Sequence, residues 1–488
     1  MQKLSMNDAS FLFMDRKETP NHIGGLVIIE PEDNDTPFYD KYRAMIAGRI
    51  AEVPLMRWKL AEAPLDLDLP QWIEQDDLDL DYHVRSTAVA RPGTMQQLWD
   101  KVCRLHSQPL DKSRPLWEQY VIDGLEGGKV ALYFKIHHSC MDGQMGVQMQ
   151  TVLFDLTPEP RDPLTPEQIK EMRLDRVAAK KAPSLLDAAM GGLKSAYDNR
   201  LTLKSLGQIA KAARAAIDKK DELEKSIPPT IPRTRFNAPI SDQRAFAAAS
   251  LSLAEMKAVK NAAGVTLNDV AVAAVGGALR RYLEEKNALP DQTLICGTPV
   301  ALPQKDDSAN NVGFMMMSFA SDIADPKKRL QVVHESSTNA KAGQKALTEL
   351  GDMMPTMYTP PALARPLTKL FSSPSVMGMA PVGINAVLSN VPGVPFQLYI
   401  AGAKVLANYP MSVLLHGQGL NITATSYMDS MDFGVICCRQ QANDPDRLLA
   451  HLQDEFEAMK AAVLETTETE ETPAETRKDN VTKFSKVA

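Results

Sequence analysis

The stretch His137-His138-Ser139-Cys140-Met141-Asp142-Gly143 follows an alternating apolar run, Lys129-Val-Ala-Leu-Tyr-Phe-Lys-Ile136. It reads as a buried strand that empties into a tight loop. On an extended backbone neighbouring side chains point to opposite faces, so His137 and His138 cannot both look into one cavity. One can serve chemistry while the other packs. Asp142 and Gly143 open an apolar-periodic segment that runs to Leu153. A carboxylate suits a helix N-terminus there, and a glycine admits close approach.

Outward from this unit, Glu118-Gln-Tyr-Val-Ile-Asp-Gly124 precedes the motif strand across Leu-Glu-Gly-Gly, a hairpin turn that pairs the two strands. Upstream, Leu26–Ile29 reads as a strand, and a helix capped by Thr36 with Pro37 in first position buries Phe38, Tyr42, Met45 and Ile46. From Thr157 to Arg235 the texture changes to an Ala/Lys/Leu-rich helical connector between prolines. A second half opens with Ala245-Phe-Ala, a capping box at Ser252 and Glu255, and a helix to Ala263. Thr266 and Asp269 then cap the run Val270–Leu283 and place Asn268 in its first turn. Strands are expected at Thr293–Cys296, Gly313–Phe319, Ala386–Leu388, Leu420–Ala424 and Gly434–Cys437. A last helix buries Leu448, Leu452, Phe456, Met459 and Val463. The Thr/Glu-rich Glu465–Glu475 has too little apolar content to offset ordering entropy and is expected to be disordered. The pattern predicts an α/β chain of two α+β sandwiches: residues 1–160, a helical connector 161–235, residues 236–464, and a tail 465–488.

A formal charge of −7 gives no reason to expect nucleic acid as a partner. Five cysteines, Cys103, Cys140, Cys296, Cys437 and Cys438, carry no CxxC spacing, which suggests neither a disulfide framework nor zinc and suits a reducing cytoplasm. The N-terminus lacks a signal-peptide core and no long uninterrupted apolar run appears, so a spanning helix is not expected, whereas a peripheral association is. No GxSxG elbow is present, and Gly417-Gln-Gly419 lacks the third glycine of a dinucleotide fingerprint. His137, His138 and Asp142 lack the spacing of a metal site, and none is expected.

HHxxxDG resembles the signature of the CoA-dependent acyltransferases. Four companions make the chain similar to the bacterial wax ester synthase/diacylglycerol acyltransferase family: Pro115-Leu116-Trp117, Asn268-Asp269-Val270, Ser389-Asn390-Val391-Pro392-Gly393, and the opening from Leu4-Ser5 to His22-Ile23-Gly24-Gly25. The resemblance runs from Leu4 to Met459. It departs at Asp15, where the family has glutamate, and at Ala309-Asn310-Asn311-Val312-Gly313, where the more typical Gly-Asn pair is missing.

The resemblance implies two chloramphenicol-acetyltransferase-like domains with the active site between them. It implies transfer of a fatty acyl group from acyl-CoA, a co-substrate rather than a bound cofactor, to a long-chain alcohol or diacylglycerol. His138 would be the general base, His137 its supporting neighbour, and Asn268 a polariser of the reacting carbonyl. Asp142 would either orient the histidine or, preferably, fix the loop by pairing with an arginine such as Arg114. Gly143, Pro115, Leu116 and Trp117 would line or shape the substrate site, with Trp117 equally suited to core. Ser389, Asn390, Pro392 and Gly393 would form a rigid turn at the cavity. The Met/Pro/Leu-rich Met353–Pro381 and the stretch Leu185–Ile217 suit either a lipid surface or ordinary packing. The expected place is the cytoplasm, at the inner membrane face or on lipid droplets; a homodimer stays open. The alternatives are an enzyme of the same superfamily with a short or polar acceptor, and a non-catalytic lipid-binding protein on the same fold.

Overall fold

A computed structural model describes residues 3–31, 36–141, 143–171, 178–200, 202–226, 230–302, 312–354 and 359–470. Asp142, the Ala309–Asn311 departure and residues 471–488 of the tail lie outside these.

The Ser5 hydroxyl accepts the Asp8 N–H to start α1 (Met6–Met14), and β1 (His22–Glu30) follows. α2 (Phe38–Arg49) buries Phe38, Tyr42 and Ile46 as expected, but begins one residue late: Pro37, not Thr36, is the cap, because its ψ of 139° is extended. The ribbon β2 (Trp58–Ala61) with β3 (Gln71–Glu74), one-turn α3 (Leu80–His83) and β4 (Val84–Ala88) lead to α4 (Met95–His106), which a Thr94/Gln97 capping box starts. β5 (Trp117–Asp123) and β6 (Val130–His137) make the predicted hairpin, with Gly127 and Gly128 at φ +75° and +72° in its turn. α5 (Gly143–Leu153) starts where the motif ends. The connector holds α6 (Pro166–Glu171), α7 (Leu185–Asp198), α8 (Leu203–Asp218) and α9 (Lys220–Ser226).

The second half begins with β7 (Arg244–Ser252) and α10 (Leu253–Ala263). Only half of the expected capping box forms: Ser252 accepts the Glu255 N–H, while the Glu255 carboxylate turns to Lys460 at 2.8 Å. α11 (Leu267–Glu285) carries the full Thr266/Asp269 box, with Asn268 in its first turn. Next come β8 (Ile295–Ala301), β9 (Val312–Ser318), α12 (Pro326–Met353), α13 (Pro361–Phe371) and α14 (Pro374–Met379). The chain closes with β10 (Ala386–Val394), β11 (Tyr399–Ile400), β12 (Ala403–Met411), β13 (Leu420–Tyr427), β14 (Ser430–Cys438) and α15 (Pro445–Glu470). The first expected strand of this half starts at Ile295 rather than Thr293, and α15 continues to Glu470, through residues expected to be disordered.

Two six-stranded sheets result, in the orders β11-β12-β1-β6-β5-β4 and β7-β14-β13-β10-β8-β9. α10, α11, α12 and α15 cover the outer face of the second, and α8 and α9 pack on α12. One crossing was not legible. β11 and β12 fall within residues 236–464, yet they extend the first sheet, with Gly24 opposite Met411 and Gly25 opposite Pro410. The same β12 lies on the second sheet. The Asn408 N–H donates to Asp432 Oδ2 at 3.0 Å, and a Cβ on Gly434 would come within 1.9 Å of the Pro410 carbonyl oxygen, so only glycine permits the contact.

Candidate active site

The motif strand separates its two histidines as alternation requires. His137 is buried and is not among the residues that line the cavity His138 faces. Its Nδ1 accepts the Ser139 backbone N–H at 3.1 Å and lies 2.7 Å from Ser139 Oγ. A backbone N–H can only donate, so Nδ1 is the acceptor nitrogen and Nε2 carries the hydrogen. That Nε2–H faces Asp15 Oδ2 at 3.7 Å, an electrostatic contact rather than a hydrogen bond. Burial lowers the pKa of His137 below its ordinary value, against the opposing pull of Asp15, so the ring is neutral at neutral pH.

Asp15, at the C-terminal cap of α1, organises this corner. Its Oδ1 accepts the Asn21 N–H at 2.8 Å, the Asn21 carbonyl accepts the His138 N–H at 2.8 Å, and Lys112 Nζ meets Oδ2 at 2.8 Å. Burial would raise its pKa, but His137 and Lys112 outweigh that and lower it to about 2. With His137 neutral, Lys112 is the charged partner. One carboxylate thus braces His137 directly and the His138 backbone through Asn21. The opening segment had flagged Asp15 only as a departure from a family glutamate.

His138 is half-buried and faces a cavity of about 420 Å³ between the two halves, a volume ordinary for a small-molecule site. Its ring stacks on Phe11 of α1, centroids 4.2 Å apart and planes 2° apart. Among the described residues it is the only histidine on the cavity wall. His22 and His106 lie close by, but burial drives both pKa values down, to about 3 for His106, and their ring nitrogens are engaged with the His106 carbonyl and the Tyr133 hydroxyl. Both are core residues. The rest of the wall is mostly apolar: Ile23 to Gly25 of β1, Phe134 and Ile136 of β6, Met141, and Val147 of α5. The second half adds Pro299 to Ala301, Phe314, Val387 and Met411.

The other expected site residues divide. Ser389, Asn390 and Pro392 line the cavity with His138. They are not a turn after a strand, however, but the second half of β10 itself, whose register with β13 breaks between Val391 and Val394. Pro392 has no N–H to give a ladder, so the strand bulges rather than ends. Gly393 sits in the bulge off the cavity wall; a Cβ there would come 1.8 Å from the Ser426 carbonyl oxygen. Pro115 and Leu116 are buried away from the cavity, and the Leu116 carbonyl accepts the His137 N–H at 2.9 Å. Trp117 is core: its Nε1–H donates to the Met56 carbonyl at 2.8 Å and its ring stacks on His83 at 4.3 Å. Gly143 begins α5. Arg114 pairs with Asp79 at 3.1 Å and Asp111 at 3.7 Å.

Asn268 is not among the residues that line the cavity; it stands in the first turn of α11, a largely buried helix packed against α10, α12 and α15. The neighbouring Asp269 has a structural part in this motif. It is fully buried, accepts from Ser337 Oγ at 2.7 Å, meets His334 Nδ1 at 2.8 Å, and so ties α11 to α12. Burial would raise its pKa, but these hydrogen bonds hold it low.

Sequence reasoning missed Phe11, and it missed Asn408 of β12 and the polar face Asn421, Thr423 and Thr425 of β13, all on the cavity wall. The i, i+2, i+4 spacing of the last three was the available signal.

Residues 4–271 match the profile described as wax ester synthase/diacylglycerol acyltransferase catalytic domain, and residues 308–460 the WS/DGAT C-terminal domain. The chain is 34% identical over 467 residues to a probable diacylglycerol O-acyltransferase of Mycobacterium tuberculosis, covering 95% of this chain and 100% of that protein. It is 31% identical over 472 residues to an O-acyltransferase of Acinetobacter baylyi, with 95% and 98% covered. The solved wax ester synthase/diacylglycerol acyltransferase of Marinobacter aquaeolei VT8 superposes with TM-score 0.67 at 28% identity, covering 95% of this chain and 100% of that one. A starter condensation domain of rhizomide synthetase, solved in complex with C8-CoA, superposes with TM-score 0.54 at 13% identity, covering 95% and 94%, a likeness of fold alone.

Proposed function

Since the chain belongs to the wax ester synthase/diacylglycerol acyltransferase family and is an O-acyltransferase, we propose that it joins a fatty acyl group from acyl-CoA to a long-chain alcohol or diacylglycerol, with His138 as general base. The observation that carries the assignment is the imidazole of His138, held flat against Phe11 on the wall of a mostly apolar cavity that both halves build. His138 takes the acceptor's hydroxyl proton, and the oxygen attacks the thioester carbonyl carbon. The C–S bond then breaks, and the proton returns from His138 to the CoA thiolate. No acyl-enzyme is needed. Holding both substrates in one cavity supplies proximity, and Ser389 and Asn390 bring polar hydrogens to its wall. The test is thiol release from palmitoyl-CoA with hexadecanol, dipalmitoylglycerol or a short soluble alcohol. Release that depends on a long-chain acceptor is expected; release only with the short alcohol would replace this reading.

The lipid acceptors also require a surface to meet. Among the described residues no single helix is long and apolar enough to cross a membrane, and the one bent pair that passes by composition, α10 with α11, has its apolar side chains in the core. α7 instead turns Leu186, Met190, Leu193 and Tyr197 outward, 60–71% exposed and spaced as a single stripe. α13 does the same with Leu363, Leu367, Leu370 and Phe371, and both helices touch the turn at Pro64–Asp66, where Leu65 is 78% exposed. Apolar clusters of this kind favour an interface over ordinary packing. α13 packs on α1, the helix that carries Phe11. We therefore propose that the enzyme works at the inner membrane face or on lipid droplets, a reading that its five buried free thiols support in that they suit a reducing cytoplasm. Substituting Leu186, Met190 and Leu193 by glutamate should lower co-sedimentation with phosphatidylglycerol vesicles severalfold and leave CoA release from a detergent-dispersed acceptor near wild type. Undiminished vesicle binding would move the docking face elsewhere.

A further inference from the structure

A second cavity, of about 40 Å³, lies between the first sheet and α5 and plays no part in the chemistry above. It shares Phe134, Ile136, Met141, Gly146 and Gln150 with the main cavity, so the two adjoin across these residues. Beyond them the wall includes Trp117, Leu132 and Met149. Most polar groups of the wall are engaged: the Tyr42 hydroxyl donates to Gln119 Oε1 at 2.8 Å, Trp117 Nε1–H to the Met56 carbonyl, Asn408 Nδ2 to Gln150 Oε1 at 2.9 Å, and Lys135 Nζ to the Leu105 and Gln108 carbonyls at 3.1 and 2.8 Å and to Glu118 at 3.2 Å. A water needs two to four polar partners, and a mostly apolar wall whose polar groups are largely engaged offers it few. The void's size matches roughly three water-sized spheres, which suits the end of a hydrocarbon chain and no headgroup. The divide is thin. A Cβ on Gly146 would meet only Met141 Sδ, at 3.8 Å, and a methionine thioether swings aside readily.

We infer that this chamber receives the terminal carbons of a substrate hydrocarbon chain and that Met149, with Trp117 behind it, sets the length accepted. The inference rests on the acyl-transfer reading and names a subsite within it. Acyl donor and alcohol acceptor both end in such a chain, so two substrate series separate them: octanoyl- to stearoyl-CoA with hexadecanol, and palmitoyl-CoA with octanol to octadecanol. Met149→Trp fills the chamber, and Met149→Ala enlarges it. In one of the two series, Met149→Trp should lower the long-to-medium ratio of kcat/KM by roughly tenfold or more, the worth of a methylene that no longer fits, and Met149→Ala should raise it. Should Met149→Trp fail to fold, Met149→Ala carries the test alone. If neither series moves while wild type transfers acyl groups, the chamber is only a packing defect and the inference is overturned. If wild type transfers none, the acyl-transfer reading has failed instead.

Discussion

In His138→Ala, kcat/KM for CoA release is expected to fall by about two to four orders of magnitude, the range that a positioned general base contributes. The melting temperature should stay within a few degrees of wild type. The reason is the division of labour between the two histidines. His138 is half-buried and its ring lies against Phe11 at the cavity wall, so truncation opens space that already adjoins a void. His137 is buried, and its Nδ1 serves the Ser139 N–H that shapes the loop. His137→Ala therefore provides the contrast: it leaves a buried donor unpaired and costs stability first. A His138→Ala enzyme within tenfold of wild type would remove His138 from the proton transfer.

Asp15→Ala is the second large effect, and it acts at a distance. It removes the acceptor of the Asn21 N–H and the partner of Lys112 together, and with them the brace on both histidines. A displacement of the imidazole by an ångström costs on the order of a hundredfold in kcat, with little change in KM for acyl-CoA because Asp15 touches no part of the cavity wall. Stability falls as well. A carboxyl lowered from 3.8 to about 2 stabilises the fold by roughly 2 kcal/mol at neutral pH. Because the folded value is the lower one, that stabilisation is complete above the unfolded pKa of 3.8 and is lost as pH falls through about 2. The gap between wild type and Asp15→Ala in acid-denaturation profiles should therefore close between those values. Asp15→Glu, which restores the charge, should recover most of the activity; a glutamate variant as impaired as alanine would contradict the bracing role.

Much of this was legible in local pattern. The hairpin into His137, the Thr266/Asp269 cap and the divergence of the two histidines follow from periodicity and capping chemistry, which act over a few residues. What failed depended on distant partners. Pro410 in Ala403–Met411 weakened the strand signal of a segment that pairs with β1, nearly four hundred residues earlier in the chain. Ser389–Gly393 has the composition of a turn, and only the neighbouring β13 makes it a bulged strand. Asn268 stands at a helix start as read, but which elements pack against α11 depends on α10, α12 and α15, and no local rule says which neighbours a helix will have.

The exchange of β12 bears on how the chain can be made. Until residue 411 has left the ribosome, β1 offers an unpaired edge beside Gly24 and Gly25, glycines whose Cβ positions are already occupied by the Tyr133 and Phe134 region of β6. The first sheet is therefore finished by the last fifth of the chain, and the two halves mature together rather than in sequence. An exposed edge held that long is a template for strand addition by another chain, so the first half expressed by itself is expected to aggregate.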